Sequence, residues 1–280
     1  MPLFRRPDGK VAQGVPATRR IMPYLMRGRN ESLVYFEQRL DLDKTLPFLE
    51  RWNATHDRRI TVFHVFLHAF VQMMKERPRV NRFVSGGRLY DRDGIWVSFS
   101  AKKALNDDSP IIVLKRRFDD VADLADMVAR VHGDVDQGRG PGKSTVDKEL
   151  GLVLAMPGPV VRFLMWLMRS LDAWNLLPGA LIRSDPMYAS VFIANLGSVR
   201  LEAPYHHLYE WGNIPIFAAI GKVKTVPGLA PDGASVVPRT VCDVHYSFDE
   251  RVEDGLYCAS SLERLKAMVE DPGATFTSSS

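Results

Sequence analysis

The sequence predicts an α/β layered sandwich built around a mixed sheet. Three observations carry this. Strand-like and helix-like segments alternate along the 280 residues, the connections between them are long, and 46% apolar content suffices for one large core.

Taken in order, residues 1–20 set Arg5, Arg6, Lys10, Arg19 and Arg20 among glycines and prolines, which predicts an extended arm without a self-packed element. "ESLVYFEQRLDLD" (31–43) nearly alternates apolar and polar residues and reads as a strand leading into the helix "KTLPFLERWNAT". "ITVFHVFLHAFVQMMKERP" (60–78) reads as a buried helix stopped by Pro78. "RFVSGGRLYDRDGIWVSFSA" and "SPIIVLKRR" are glycine-punctuated strands, and "DDVADLADMVARVHGDV" is an amphipathic helix.

A polar break at 138–148 ("GRGPGKSTVDK") changes the texture of the chain. Beyond it, "PGPVVRFLMWLMRSLDAWNLLPGALI" (157–182) is the most apolar stretch. Arg162, Arg169 and Asp172 fall within one span length of it, which argues against a membrane crossing. A helical hairpin that completes the core is the expectation, with a lid over a pocket or an interfacial surface as alternatives. "MYASVFIANLGSV", "IPIFAAIGKVKTVPG" and "RTVCDVHYSF" are β-rich, "ASSLERLKAMVEDP" is helical, and "TFTSSS" is a frayed tail. The expected organisation is an arm at 1–20, one domain at 21–272 with an apolar helical insertion at about 140–184, and a tail at 273–280.

The net charge of +4, from 37 basic and 33 acidic residues, suits anionic ligands and is far from a nucleic-acid-binding composition. Two cysteines, Cys242 and Cys258, build no disulfide framework and predict buried free thiols in a reducing cytoplasm. The N-terminus has no apolar run resembling a signal-peptide core, so retention inside the cell is expected.

His64 and His68 stand four apart on one helix, the spacing of two metal ligands, but "HVFLH" holds no acidic residue and the helix is apolar nearly all round. Locally bonded core histidines are expected, and no metal. The aromatic "PYHHLYEWGN", with His206 and His207, could take a flat group such as adenine, or be an ordinary surface loop. The sequence has no dinucleotide or phosphate loop, no G-x-S-x-G elbow and no catalytic cysteine motif.

"SFDERVEDGLYCASSLERLKAMVEDP" (247–272) is similar to the D-H-R-x-x-D-G signature and terminal helix of the dihydrolipoyl acyltransferase catalytic domain. That domain is the core component of 2-oxoacid dehydrogenase complexes and is related in fold to chloramphenicol acetyltransferase. "FIANLGSV" resembles the family's T-I-S-N-L-G strand, "IPIFAAIGKV" its A-I-L-G-V strand, and "TVFHVFLHAFVQMMKERPRVNRF" its long helix ending in F-P-x-x-N. "LYDRDGIWVSFSAKKALNDDSPIIVLKR" resembles the stretch from the middle strands to V-P-V-I. The likeness covers roughly 17–138 and 186–272.

The resemblance implies a chloramphenicol acetyltransferase-like two-layer sandwich with a mixed sheet. It also implies a homotrimer, possibly joined into a larger cubic cage, with active sites between subunits. There a histidine deprotonates a thiol that attacks a thioester, and a serine hydroxyl steadies the oxyanion. Carried over by position, the base falls on Glu250 and the oxyanion serine on Ala194, followed by Asn195 as in the family's motif; Asp254, Arg251 and Gly255 are kept. Asp254 is expected to be a buried carboxylate paired with an arginine. No lipoyl domain, subunit-binding domain or linker is expected ahead of the catalytic-like domain.

Two functions follow. One is a catalytically degenerate acyltransferase whose assembly or scaffold is the working object. The other is a working transferase with CoA or acyl-CoA as substrate, a non-lipoyl acceptor, and Glu250 or nearby His245 as base. A nucleic-acid partner and a membrane span are not expected in either case.

Overall fold

The computed structural model describes residues 6–102, 111–139, 151, 153, 155–230 and 233–276. In chain order its elements are β1 (Gly9–Val11), α1 (Ala17–Arg20), α2 (Met22–Leu25), β2 (Leu33–Asp41), α3 (Thr45–Thr55) and α4 (Val62–Glu76). Then come β3 (Phe83–Ser85), β4 (Arg88–Arg92), β5 (Trp96–Lys102), β6 (Ile111–Arg117) and α5 (Leu124–Arg139). The later part holds α6 (Gly158–Ala173), α7 (Gly179–Ser184), β7 (Val191–Asn195), β8 (Ile216–Leu229), β9 (Val236–Asp249), α8 (Gly255–Glu270) and α9 (Pro272–Phe276). Of the predicted polar break, the part from residue 140 on lies outside the described residues.

Six strands form one sheet in the order β2-β9-β8-β7-β5-β6, and β1-β4-β3 form a smaller one. In the large sheet β7 runs parallel to both β5 and β8, while the other neighbours are antiparallel. The sheet is therefore mixed. Its two faces differ because side chains alternate along a strand. Val191 and Ile193 of β7, with Cys242, Val244, Tyr246 and Phe248 of β9, join the core under α3, α4, α5 and α8. Phe192, Ala194, Phe217 and Ala219 point the other way into a second cluster closed by Ala203, Leu208 and Ile214.

Helix α4 is the core's centre. Its N-terminus is held by His64, whose Nδ1 accepts the Thr61 N–H at 3.2 Å, and ten of its residues are buried. An all-round apolar helix must be covered on every side, and α3, α5, α8 and the sheet do so. His68 has Gln72 as a local neighbour at 3.4 Å. Both cysteines are free and buried, and burial pushes their thiols up to about 12.

Three expectations are corrected. The N-terminal segment packs on its own chain from Arg6 onward: β1 pairs with β4, and the buried Arg6 guanidinium lies between Asp8 (2.7 Å) and Asp172 (2.8 Å). A charge that deep needs its counter-charges close by, and this chain supplies them. The apolar hairpin at 157–182 does not complete the core. No residue of α6 is buried, and only Met168 and Leu171 rest on a small cluster of Leu177, Ile182 and Tyr188. The large core is already sealed without it. Of the tail expected at 273–280, residues 273–276 belong to helix α9, because the Phe276 ring packs edge-on against His68 at 4.6 Å; residues 277–280 lie outside the described residues. No helix among the described residues is long and apolar enough to cross a membrane.

Candidate active site

The residues expected to carry acyl transfer stand in two places. Ala194 and Asn195 end β7. Ala194 pairs with Ala219 of β8, which pairs with His245 of β9, which pairs with Glu37 of β2. This row crosses the face of the sheet opposite the long helices, and its first two positions, Ala194 and Ala219, carry only methyl groups. The following turn is tight because a Cβ at Gly197 would come within 2.6 Å of the Gly221 carbonyl. Ser198, the next hydroxyl along the chain after Ala194, donates to the Asn195 carbonyl at 2.7 Å and is thereby occupied.

Glu250 and Asp254 lie beyond the end of β9. Glu250 is five residues past His245, about 16 Å at ~3.3 Å per residue, and β8 separates β9 from β7. One chain does not bring Glu250 to Ala194. The backbone of Glu250 is pinned: its N–H donates to the Ser32 carbonyl (2.9 Å), and its carbonyl accepts from Arg19 Nη1 (2.6 Å). Its half-buried carboxylate has no hydrogen bond or ion pair among the described residues.

Asp254 departs from expectation. It is exposed, and it caps α8 by accepting the Tyr257 N–H at 2.8 Å. That bond, with Arg19 and Arg79 nearby, holds its carboxyl below the usual range. Two other acids of the motif are buried and paired with arginines: Glu253, 3.3 Å from Arg79 and 3.4 Å from Arg82, and Asp249. Asp249 holds the motif's own arginine. It takes Arg251 Nε at 2.8 Å and Nη2 at 2.7 Å, as well as the Ser32 hydroxyl at 3.0 Å. Arg251 uses its remaining nitrogen on the Met26 and Arg27 carbonyls, both at 3.1 Å. Position within the motif pointed to the wrong acid, because an exposed helix cap and a buried ion pair look alike in a string of letters.

Residue-type reasoning also missed a cluster around His245. Its ring stacks on Tyr205 (4.2 Å between centroids), Nε2 stands 3.9 Å from Glu37, and Tyr205 donates to Glu37 at 2.7 Å. His245 Nδ1 is buried without a hydrogen-bond partner among the described residues. His206, in the loop considered for adenine, instead stacks on Phe217 at 3.9 Å, and its carbonyl accepts from Ser247.

On the helix side of the sheet, a cavity of ≈ 430 Å³ opens against Asn195. Apolar side chains such as Phe63, Phe99, Val131 and Leu196 wall it. His64 and His132 stack beside it at 5.3 Å. Burial, with His132 adding to it, holds His64 down to about 4, so its imidazole is neutral near pH 7.

No protein-family model matches the sequence, and no characterised protein matches it by sequence comparison. Solved structures do match by shape. A probable dihydrolipoamide acetyltransferase from Listeria monocytogenes superposes with TM-score 0.61 at 15% identity, over 97% of this chain and 98% of that one. The cubic core of a pyruvate dehydrogenase multienzyme complex gives 0.60 at 19% identity, over 94% and 93%. Chloramphenicol acetyltransferase gives 0.53 at 12%, over 94% and 98%. A six-stranded mixed sheet with its long helices on one face, matched along nearly the whole chain, gives this protein the chloramphenicol acetyltransferase-like fold of dihydrolipoamide acetyltransferase catalytic cores.

Proposed function

We propose that this chain is an acyltransferase-fold protein that has given up acyl transfer and works as an assembly, a homotrimer or a cage of trimers in the cytoplasm. The observation that carries the proposal is the row Ala194–Ala219, where an oxyanion would need a hydroxyl and finds two methyl groups. Losing one oxyanion donor lowers kcat by a factor of about 10²–10³. At Glu250 a carboxylate stands in for an imidazole, and a carboxylate is inherently the weaker base and a poor one for a thiol. The separation of Glu250 from Ala194 within one chain supports an arrangement in which the two halves face each other across copies. One structure similar to this chain is the cubic core of a pyruvate dehydrogenase multienzyme complex.

The test is acetyl transfer from acetyl-CoA to dihydrolipoamide, together with light scattering. Background activity is expected for the wild type and for Glu250→His. The pair Glu250→His with Ala194→Ser should exceed the sum of the single variants, and the particle should have at least trimer mass. A monomer at micromolar concentration would overturn the assembly.

A second reading, a working transferase using CoA or acyl-CoA, is favoured by the apolar cavity beside Asn195, which is large enough for a short acyl chain. It forecasts wild-type turnover of some CoA thioester, abolished by Glu250→Gln if Glu250 is the base, or by His245→Gln if the Glu37-flanked imidazole is.

A further inference from the structure

A second pocket, of ≈ 260 Å³, lies where helix α6 meets the rest of the fold. Four arginines line it, Arg27, Arg29, Arg169 and Arg251, against two carboxylates, Asp172 and Glu210. Both acids are already engaged. Asp172 is paired with Arg6, and Glu210 accepts the backbone N–H groups of Arg29 (3.2 Å) and Asn30 (3.1 Å) and the Asn30 amide (2.9 Å). Among the arginines, only Arg251 has its own buried partner, Asp249.

The rest is an excess of donors. Arg29 is buried, and its guanidinium makes one hydrogen bond, to the Tyr209 carbonyl at 3.2 Å. Burial holds it down to about 10, against the opposing pull of Asp249, Glu210 and Asp172. The guanidinium groups of Arg27 and Arg169 make no hydrogen bond or ion pair among the described residues. Tyr188 is 1% exposed, and its hydroxyl is buried without a partner among them. Arg27 and Arg169 are exposed and free to turn to a ligand, whereas a buried hydroxyl without a partner, as at Tyr188, is costly, and native structures seldom leave one so.

The pocket's remaining wall depends on close backbone approach. Gly86 and Gly87 form the β3–β4 turn with φ of +53° and +74°, and a Cβ on Gly86 would lie 2.1 Å from the Ala173 carbonyl of α6. The hairpin can seat against α6 only with glycine there.

We propose that this pocket binds the phosphate group of a small phosphomonoester. A phosphate dianion brings three acceptor oxygens, matching a set of guanidinium forks and one phenol donor, and charge-assisted bonds of this kind are the strong ones. The volume exceeds that of bare phosphate and leaves room for a small organic remainder beside Trp211. Arg169 and Ala173 come from α6, the helix that lies outside the large core. The site includes neither Glu250 nor Ala194, and it stands or falls separately from the acyl-transfer reading.

The experiment is calorimetry and thermal unfolding with inorganic phosphate and with phenyl phosphate, at fixed ionic strength set by sodium chloride. Saturable binding at one site per chain and a raised Tm are expected, with phenyl phosphate at least as tight as phosphate. Arg169→Ala, at an exposed position, should weaken binding about tenfold while leaving the ligand-free Tm in place. Tyr188→Phe should shrink the phosphate-induced rise in Tm without lowering the ligand-free Tm, because it removes an unsatisfied hydroxyl from a buried site. Absence of saturable binding by either probe would overturn the proposal, as would binding that both variants leave unchanged.

Discussion

Helices α4 and α6 are nearly equal in length and both rich in Phe, Leu, Met and Val, yet they meet opposite fates. Ten residues of α4 are buried and none of α6 is. Phe163 and Trp166 of α6 are 58% and 61% exposed, whereas Phe66 and Phe70 of α4 are fully covered. Helix α4 has the sheet on one side and α3, α5 and α8 on the others. Helix α6 lies over a satellite cluster of three buried residues. Apolar content made both helices; the number of layers available to cover them decided which became core.

The same contrast divides the motif after β9. Asp249 is buried in a bidentate pair with Arg251, and Asp254, five residues on, is an exposed cap. The largest effect is therefore expected at Asp249. Asp249→Ala leaves Arg251 buried without its counter-charge and should lower unfolding free energy by about 3–5 kcal/mol in urea titrations. A loss near 1 kcal/mol would erase the distinction between the two acids.

The buried histidines of α4 give the next effect. His64 and His68 are both held at about 4, chiefly by burial, against an ordinary 6.5. The unfolded chain therefore takes up protons first as the pH falls, and stability present above pH 6.5 is lost progressively toward pH 4. Each imidazole contributes at most ~3 kcal/mol over that window. Unfolding free energy measured from pH 7 to 4 should fall more gently in His68→Gln. An unchanged slope would mean that His68 is not the buried neutral group described.

Asp254→Ala should cost about 1 kcal/mol, the typical loss of an N-cap side chain, measured by the same titrations. The smallest effect belongs to α6: Phe163→Ala, at an exposed position, should move stability by no more than about 0.5 kcal/mol. A loss of several kcal/mol there would show that the helix is covered in solution and would end the contrast with α4.

Much of the scaffold was legible because periodicity is a local property. Strand β2 announced itself by alternation, α4 by a long apolar run ending at Pro78, and α8 by the segment after the glycine of the motif. The candidate site was legible only through its likeness to a family, which named Glu250, Ala194, Asn195 and Asp254 by position. It could not say that Ala219 lies beside Ala194, since strand neighbours are set by a sheet order unrelated to chain order. Nor could it reveal the His245, Glu37 and Tyr205 cluster, whose members are 168 positions apart at the Tyr205–Glu37 bond.

By itself, then, the sequence determined the element types and the mixed α/β class, because propensity and periodicity act within a few positions, while Glu250 and Ala194 were singled out only by likeness to a family. Only the tertiary structure decided which charges lost their water. It buried Arg6 against Asp8 and Asp172 where an extended arm was expected, made Asp249 instead of Asp254 the partner of Arg251, and left Arg29 and Tyr188 with donors unmatched. The worth of a charge or a hydroxyl depends on the solvent and the partners that the rest of the chain leaves it, and both are settled only when distant segments meet.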